Sequence, residues 1–224
     1  MRKATAILLS SILMIICSVF SSNAADEPSF RTEIVNGNPG ETVEINLKLL
    51  NNPGITALSI DISYSEQDVE LIGVEDGGLF EDSISTGSLN ASPLKLSWYA
   101  TDSQNKTASG TLATVKFKIR ENAVSSRVII SYNPENVFDN TLQNQMFDVK
   151  HGWILIGDAK IGDTHPDNTV SIRDVTAIQR HIAELETLSG EQLVLADANG
   201  DNEINIADAT HLQMFLAEYE VELG

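Results

Sequence analysis

Two oxygen-rich stretches 34 residues apart constrain this chain more than any other feature. Asp197, Asn199, Asp201, Asn205 and Asp208 stand at positions 1, 3, 5, 9 and 12 of a twelve-residue loop. A hard cation such as calcium takes roughly six to eight oxygens, and alternate residues of a tight loop point inward to supply them. Glu203, at position seven, adds its backbone carbonyl. Asn202 stands at position six, where glycine is usual, and asparagine tolerates a left-handed backbone there.

The first copy aligns Asp163, His165, Asp167, Thr169, Ser171 and Asp174 at positions 1, 3, 5, 7, 9 and 12. Val170 and Ile172 then match Ile204 and Ile206. His165 replaces an oxygen ligand and Pro166 stiffens the turn. This loop is therefore expected to bind calcium more weakly, to take a water in place of a ligand, or to persist as a metal-free relic. Asp158 becomes the first ligand if the loop is longer than normal. Two calcium ions are expected, the second loop being the stronger. Both loops run into three-to-four spacing, Val175, Ile178, Ile182 and Leu185 in one copy and Ala209, Leu212 and Leu216 in the other, which predicts two amphipathic helices.

Upstream the period is two. Val43, Ile45, Leu47 and Leu49 alternate; so do Leu58, Ile60, Ile62 and Tyr64, then Leu112, Val115, Phe117 and Ile119 with one slip, then Val128 and Ile130. Turn-forming clusters such as Asn38-Pro39-Gly40 and Asn52-Pro53-Gly54 punctuate them. About eight or nine short strands at this spacing predict a β-sandwich or jelly roll. The fold class is thus mixed, an all-β sandwich followed by a small all-α domain of duplicated calcium loops and helices, with the boundary near Gly157.

At the start of the chain, Arg2 and Lys3 precede an apolar run from Ala6 to Phe20, and Ser22-Asn23-Ala24 offers small residues for cleavage. This reads as a secretory signal peptide, too short to remain as a bilayer-spanning anchor. The expected units are residues 1–24, the signal peptide; 25–157, the sandwich; and 158–224, the calcium-loop domain. The one cysteine, Cys17, lies in the signal segment, without the small residue that precedes a lipidated cysteine. The exported chain would have no thiol, so disulfides, Cys-ligated zinc and a cysteine nucleophile are excluded. The calcium-loop segment holds fourteen Asp+Glu against three Lys+Arg, and the chain's formal charge is −18. Such acidity excludes phosphate-backbone binding to nucleic acid and docking on anionic lipid.

The loops depart from ordinary calcium sensors: position 12 is Asp rather than Glu, and the strand-like Trp153-Ile154-Leu155-Ile156 precedes the first copy. With its Gly-Asp opening, Ile-x-x-Asp endings and 34-residue period, the segment from Gly157 onward resembles a dockerin, the loop-plus-helix module of cellulosomes. The body resembles a cohesin, the jelly-roll receptor of dockerins. The matching stretches include Asn38-Pro39-Gly40-Glu41-Thr42-Val43, Ala57-Leu58-Ser59-Ile60-Asp61-Ile62-Ser63-Tyr64, Leu96-Ser97-Trp98-Tyr99-Ala100-Thr101 and Gly152-Trp153-Ile154-Leu155-Ile156.

The resemblance implies a non-catalytic adaptor scaffoldin. Its cohesin would bind dockerin-bearing enzymes or modules, and its calcium-dependent dockerin would dock into the cohesin of a larger scaffoldin. The protein would be secreted and held at the cell surface through that complex. On the cohesin side the resemblance maps partner contacts onto Ala57, Ser59, Trp98, Thr101, Leu142 and Asn144; the residues alone leave Trp98 equally able to be a core aromatic. On the dockerin side it maps them onto Ile172, Arg173, Gln179 and Arg180 in copy one and Ile206, Ala207, Gln213 and Met214 in copy two. The copies differ at Arg173/Ala207 and Arg180/Met214, which predicts one preferred docking orientation. The alternative is a secreted carbohydrate-binding jelly roll carrying a dockerin, which needs an exposed aromatic platform; a calcium-buffering surface protein is a third. No histidine or carboxylate pair sits in a catalytic setting, so no enzyme is expected.

Overall fold

The computed structural model describes residues 27–81, 84–89 and 92–224. The expected signal peptide lies outside the described residues. Among the described residues eleven strands form two sheets: β1 (Ser29–Arg31), β2 (Ile34–Gly37), β3 (Thr42–Leu50), β4 (Ala57–Ser63), β5 (Val69–Asp76), β6 (Ser85–Thr86), β7 (Leu94–Tyr99), β8 (Gly110–Ile119), β9 (Ser126–Ser131), β10 (Asp148–Lys150) and β11 (Gly152–Ile156). One sheet runs in the order β10-β1-β3-β8-β5 and the other β2-β11-β9-β4-β7-β6. The count exceeds the expected eight or nine because the segments at each end of the sandwich split between the two sheets, β1 and β10 pairing in one, β2 and β11 in the other.

The period-two residues are the ones that meet between the sheets. Val43, Ile45, Leu47, Leu49, Leu58, Ile60, Ile62, Val115, Phe117, Ile119, Val128 and Ile130 all belong to one buried cluster. The slip in the eighth strand has a physical cause. Leu47 pairs with Ala113 but Lys48 with Thr111, so Leu112 is the extra residue of a β-bulge, and both Leu112 and Ala113 are buried.

The tail has three helices rather than the two expected: α1 (Ile172–Ile182), α2 (Glu191–Ala196) and α3 (Ile206–Leu216). The short α2 has no oxygen-rich loop before it and spans under two turns, too few for a periodicity to register. Val175, Ile178, Ala209 and Leu212 close a small core between α1 and α3, with Leu188, Ala196 and Ala198 beneath. Val170 and Ile204, at position eight of each loop, pack against that core. A second cluster joins the tail to the sandwich: Trp153 and Leu155 of β11 are covered by Ile161 and Leu195.

Candidate functional site

In each loop, positions nine and twelve do two jobs. Ser171 and Asn205 cap their helices, the Ser171 hydroxyl accepting from the Arg173 N–H at 3.2 Å and the Asn205 side chain from that of Ala207 at 2.7 Å. Asp174 and Asp208, at the third helical position, reach back to accept the backbone N–H of Ser171 and Asn205, at 2.8 and 2.9 Å. This reciprocal box satisfies orphan helix donors and fixes both carboxylates at the loop's end. The other Asp174 oxygen accepts from the His165 N–H at 2.8 Å, and the other Asp208 oxygen from that of Asn199 at 3.3 Å. Position six is left-handed in both copies, with φ of 61° at Asn168 and 74° at Asn202.

The loops differ where the cation would sit. In the second, carboxylate oxygens of Asp197, Asp201 and Asp208 lie within 4.8 Å of one another, and among the described residues this is the one such gathering of three. Asp197 Oδ1 is buried and has no hydrogen-bond partner, while its Oδ2 accepts from the Asn202 N–H at 2.9 Å. A buried carboxylate that keeps one oxygen unpaired and is gathered with two further carboxylates is a donor set suited to a hard divalent ion, so the residues fit calcium. Burial first, then the neighbouring acids, push the Asp197 and Asp208 carboxyls above the usual range, which a cation would relieve. Asn199 and Glu203 stand on the same loop. Asn199 Oδ1 accepts from the Asp201 N–H at 3.0 Å, and the Glu203 N–H donates to Asp201 at 2.8 Å.

In the first loop Asp163 is buried, its carboxyl raised by that burial, but Asp167 is turned toward a cation from its own helix. Arg173 Nη1 lies 3.2 Å from Asp167 Oδ2, and Arg173 Nη2 lies 3.0 Å from His165 Nε2. Thr169 is exposed and donates its N–H to Asp167.

The expected dockerin-side contacts share an open surface. Ile172 and Ile206 are 62% and 61% exposed, and Arg173, Gln179, Arg180, Ala207, Gln213 and Met214 are exposed as well. Arg180 pairs with Glu186 at 2.9 Å.

On the sandwich, Ala57 and Ser59 lie half-buried on the outer side of β4, and the Ser59 and Ser97 hydroxyls are 3.0 Å apart. Thr101, Leu142 and Asn144 are exposed, Leu142 by 74%. Trp98 corrects the expectation. It is 1% exposed, pairs with inward-facing Leu58, and donates its indole N–H to Asp76 at 3.3 Å, so it is a core residue and not a partner contact. The outward residues of β7 are Lys95, Ser97 and Tyr99. Tyr99, 56% exposed and in register with Ala57, is the candidate that the sequence reading missed, although the alternation Leu94, Leu96, Trp98 carried the signal.

Arg127 and Trp153 were missed too. Arg127, on β9, reaches across to the second loop: Nη1 lies 2.6 Å from Asp197 Oδ2 and 2.7 Å from Asn202 Oδ1, and Nη2 donates to the Gly200 carbonyl. Its guanidinium stacks 4.7 Å above the Trp153 ring. Ser125, just before β9, donates to the Glu191 carboxylate, and Lys150 pairs with Glu222 at 3.0 Å.

Comparison with known proteins matches the cohesin domain family over residues 31–156 and the dockerin type I domain family over residues 161–217. Among solved structures, the sixth cohesin of Acetivibrio cellulolyticus scaffoldin B, determined with a mutant Cel5 dockerin, is 21% identical. The match has a TM-score of 0.54, covering 58% of this chain and 99% of that one. The match to a Clostridium thermocellum OlpA cohesin–dockerin complex has a TM-score of 0.54 at 17% identity, covering 59% of this chain and 100% of the other. A non-cellulosomal cohesin from the archaeon Archaeoglobus fulgidus has a TM-score of 0.51 at 17% identity, over 58% and 91%. No curated protein matches the chain. No helix among the described residues is long and apolar enough to cross a membrane. With more than half of its length matched by the one family and the tail by the other, the chain belongs to the cohesin family and carries a dockerin type I domain behind its cohesin domain.

Proposed function

We propose that this protein is a cellulosome-type adaptor that works by binding alone: its cohesin receives dockerin-bearing proteins, and its dockerin enters the cohesin of a larger scaffoldin. Both modules are interaction modules without catalysis. The observation that carries the adaptor reading is that two complementary halves of one recognition system share a chain, each with an open face. The outer side of β4 and β7 and the Ile172/Ile206 surface of the tail are exposed in the same molecule.

Dockerin type I domains are calcium-binding. Here Asp197, Asn199, Asp201, Asn205, Asp208 and the Glu203 carbonyl would hold the stronger ion, and Asp163, Asp167, Thr169, Ser171 and Asp174 the weaker. The buried free oxygen of Asp197 supports this ranking, as does the engagement of Asp167 by Arg173. The ions supply positive charge to an otherwise self-repelling loop, so binding energy becomes folding energy. The units proposed are 25–157 and 158–224, behind an export signal in 1–24, and the adaptor would act outside the cell within a surface-held complex. An aromatic sugar platform finds no support in the tryptophans, since Trp98 and Trp153 are both 1% exposed.

The test is a three-component mixture: the full chain with a purified dockerin-bearing enzyme and a scaffoldin cohesin, in calcium, followed by size-exclusion chromatography with light scattering. A 1:1:1 complex that falls apart on chelation is expected. Retention by polysaccharide in an affinity gel, with no protein complex, overturns the adaptor reading.

A further inference from the structure

The outer face of β11 is apolar, and the tail covers it with parts that its recognition surface does not use. Leu195 of α2 and Ile161, just ahead of the first loop, close over Trp153 and Leu155. Leu195 belongs to this cluster and not to the tail's own core of Val175, Ile178, Ala209 and Leu212. Polar contacts surround the apolar patch. Ser125 gives its N–H, at 3.1 Å, and its hydroxyl to the Glu191 carboxylate at the start of α2, and Lys150 pairs with Glu222. Arg127, stacked on the Trp153 ring, reaches Asp197, the Asn202 side chain and the Gly200 carbonyl. Gly200 and Asn202 are positions four and six of the second loop, outside its ligand register, and both are left-handed, with φ of 76° and 74°. Two of the three groups that Arg127 meets are thus the wound turn of the loop, a shape and not a ligand.

We infer that the outer face of β9 and β11 is a calcium-dependent docking site for the chain's own tail, which seats the tail by its back and leaves its recognition surface outward. The inference rests on the calcium reading above. Without the ion, the gathered charges of Asp197, Asp201 and Asp208 repel one another and the tail is unfolded. The turn and α2 are then not formed, and Trp153 and Leu155 stand open to water. With the ion, the loop closes; the turn presents Gly200 and Asn202 to Arg127, and α2 presents Leu195 and Glu191 to the sandwich. The sandwich, which offers no such cluster of carboxylates among its described residues, thereby responds to calcium through the tail. In the docked state Ile172 and Ile206 remain exposed and the outer side of β4 and β7 is uncovered, so the tail cannot lie on the receiving face of its own molecule.

The experiment is a calcium titration of the full chain and its Leu195→Asp variant, reading helical circular dichroism and acrylamide quenching of tryptophan fluorescence together. Trp98 stays in the sandwich core, so the change in quenching reports Trp153. In the parent, calcium should bring the helical gain and, at the same midpoint, a severalfold fall in quenching. Leu195→Asp should keep the helical gain, since the residue lies outside the tail's own core, while quenching stays near its calcium-free level. Where Leu195→Asp blocks the helical gain, Leu155→Asp makes the same comparison with the tail's sequence untouched, because Leu155 faces out of the sandwich. A helical gain in the parent with quenching unmoved overturns the docking and leaves the calcium reading standing. So does a variant that gains helix and protects its tryptophan as the parent does. No helical gain in the parent overturns the calcium reading, and the docking with it.

Discussion

Replacing Trp98 by alanine tests its place in the core. A buried tryptophan removes about 150–250 Å² from water, which at about 25 cal/mol per Å² is worth about 4–6 kcal/mol. Measured truncations of buried aromatics cost about 3–5 kcal/mol, because the cavity collapses only in part. The indole N–H bond to Asp76 adds little, since that carboxylate also accepts from the Gly78 N–H at 3.0 Å. A loss of about 4–5 kcal/mol is therefore expected in urea unfolding of the full chain followed by circular dichroism. Thermally this is a drop of roughly 15 °C for a unit of this size. Trp98→Phe keeps most of the packing and should keep the affinity for a dockerin partner, measured by calorimetry well below the melting temperature. If Trp98→Phe leaves the unfolding midpoint in place while cutting dockerin affinity tenfold, the ring belongs to the receiving face and the burial argument is wrong.

Other outcomes follow from the tail and from one histidine. Asp208→Ala removes a cation ligand together with the acceptor of the Asn205 and Asn199 N–H groups, so it should abolish the calcium-induced gain in helical circular dichroism. Asp163→Ala should reduce that gain only in part, and equal losses would sink the ranking of the loops. Alanine at Ile172 and Arg173, compared with alanine at Ile206 and Met214, should weaken scaffoldin binding through one copy much more than the other. If neither pair changes affinity alone, the copies are interchangeable and two orientations exist. His151 accepts the Ile130 N–H on Nδ1 at 3.2 Å, and burial, with Arg127 nearby, holds its pKa below the ordinary value. The folded state thus keeps it neutral where the unfolded chain takes a proton. Its contribution to stability is fully present above about pH 6.5 and is lost as pH falls from there toward the folded value. In saturating calcium, melting temperatures between pH 8 and 5 should fall below about 6.5, and His151→Gln should flatten that step; an unchanged slope refutes the assignment.

The sequence was most legible where one face of an element meets one core. Strands β3, β4 and β9 bury every second residue, and α1 and α3 bury Val175, Ile178, Ala209 and Leu212 at three-to-four spacing, as periodicity expects; Ile182 and Leu185 of the same expected stripe are 39% and 72% exposed, because α1 ends at Ile182. The second calcium loop was legible because its ligands are adjacent in sequence. What depends on distant partners was not. Trp98 taken alone fits either face, and only its place in the alternation of β7 with Leu94 and Leu96 turns it inward. The docking of the tail was present as a signal, since Trp153-Ile154-Leu155 is an unbroken apolar run, the mark of a strand covered on both sides. Ile154 faces the sandwich core while Trp153 and Leu155 face the tail. Arg127 had no signal at all: one arginine in an alternating strand says nothing of a carboxylate 70 positions later.

The six-stranded sheet has two kinds of outer surface, and chemistry divides them. Over β11 that surface is apolar, Trp153 and Leu155, and the chain covers it with its own tail. Over β4 and β7 it is built of small and polar residues that contact one another across the strands, the Ser59 and Ser97 hydroxyls 3.0 Å apart and Asp61 in an ion pair with Lys95 at 3.3 Å. A surface of the second kind is stable in water without a partner, which the receiving face proposed above requires and a permanent packing face does not. Exposed Tyr99 and Leu142 add apolar area at its edge. Ala57 and Ser59 present little bulk, so on the proposed receiving face shape would have to come from the partner. Substituting Ser59 by a large residue should therefore block a partner sterically while leaving the tail's own docking on β9 and β11 intact. Those two surfaces share a sheet but no residue.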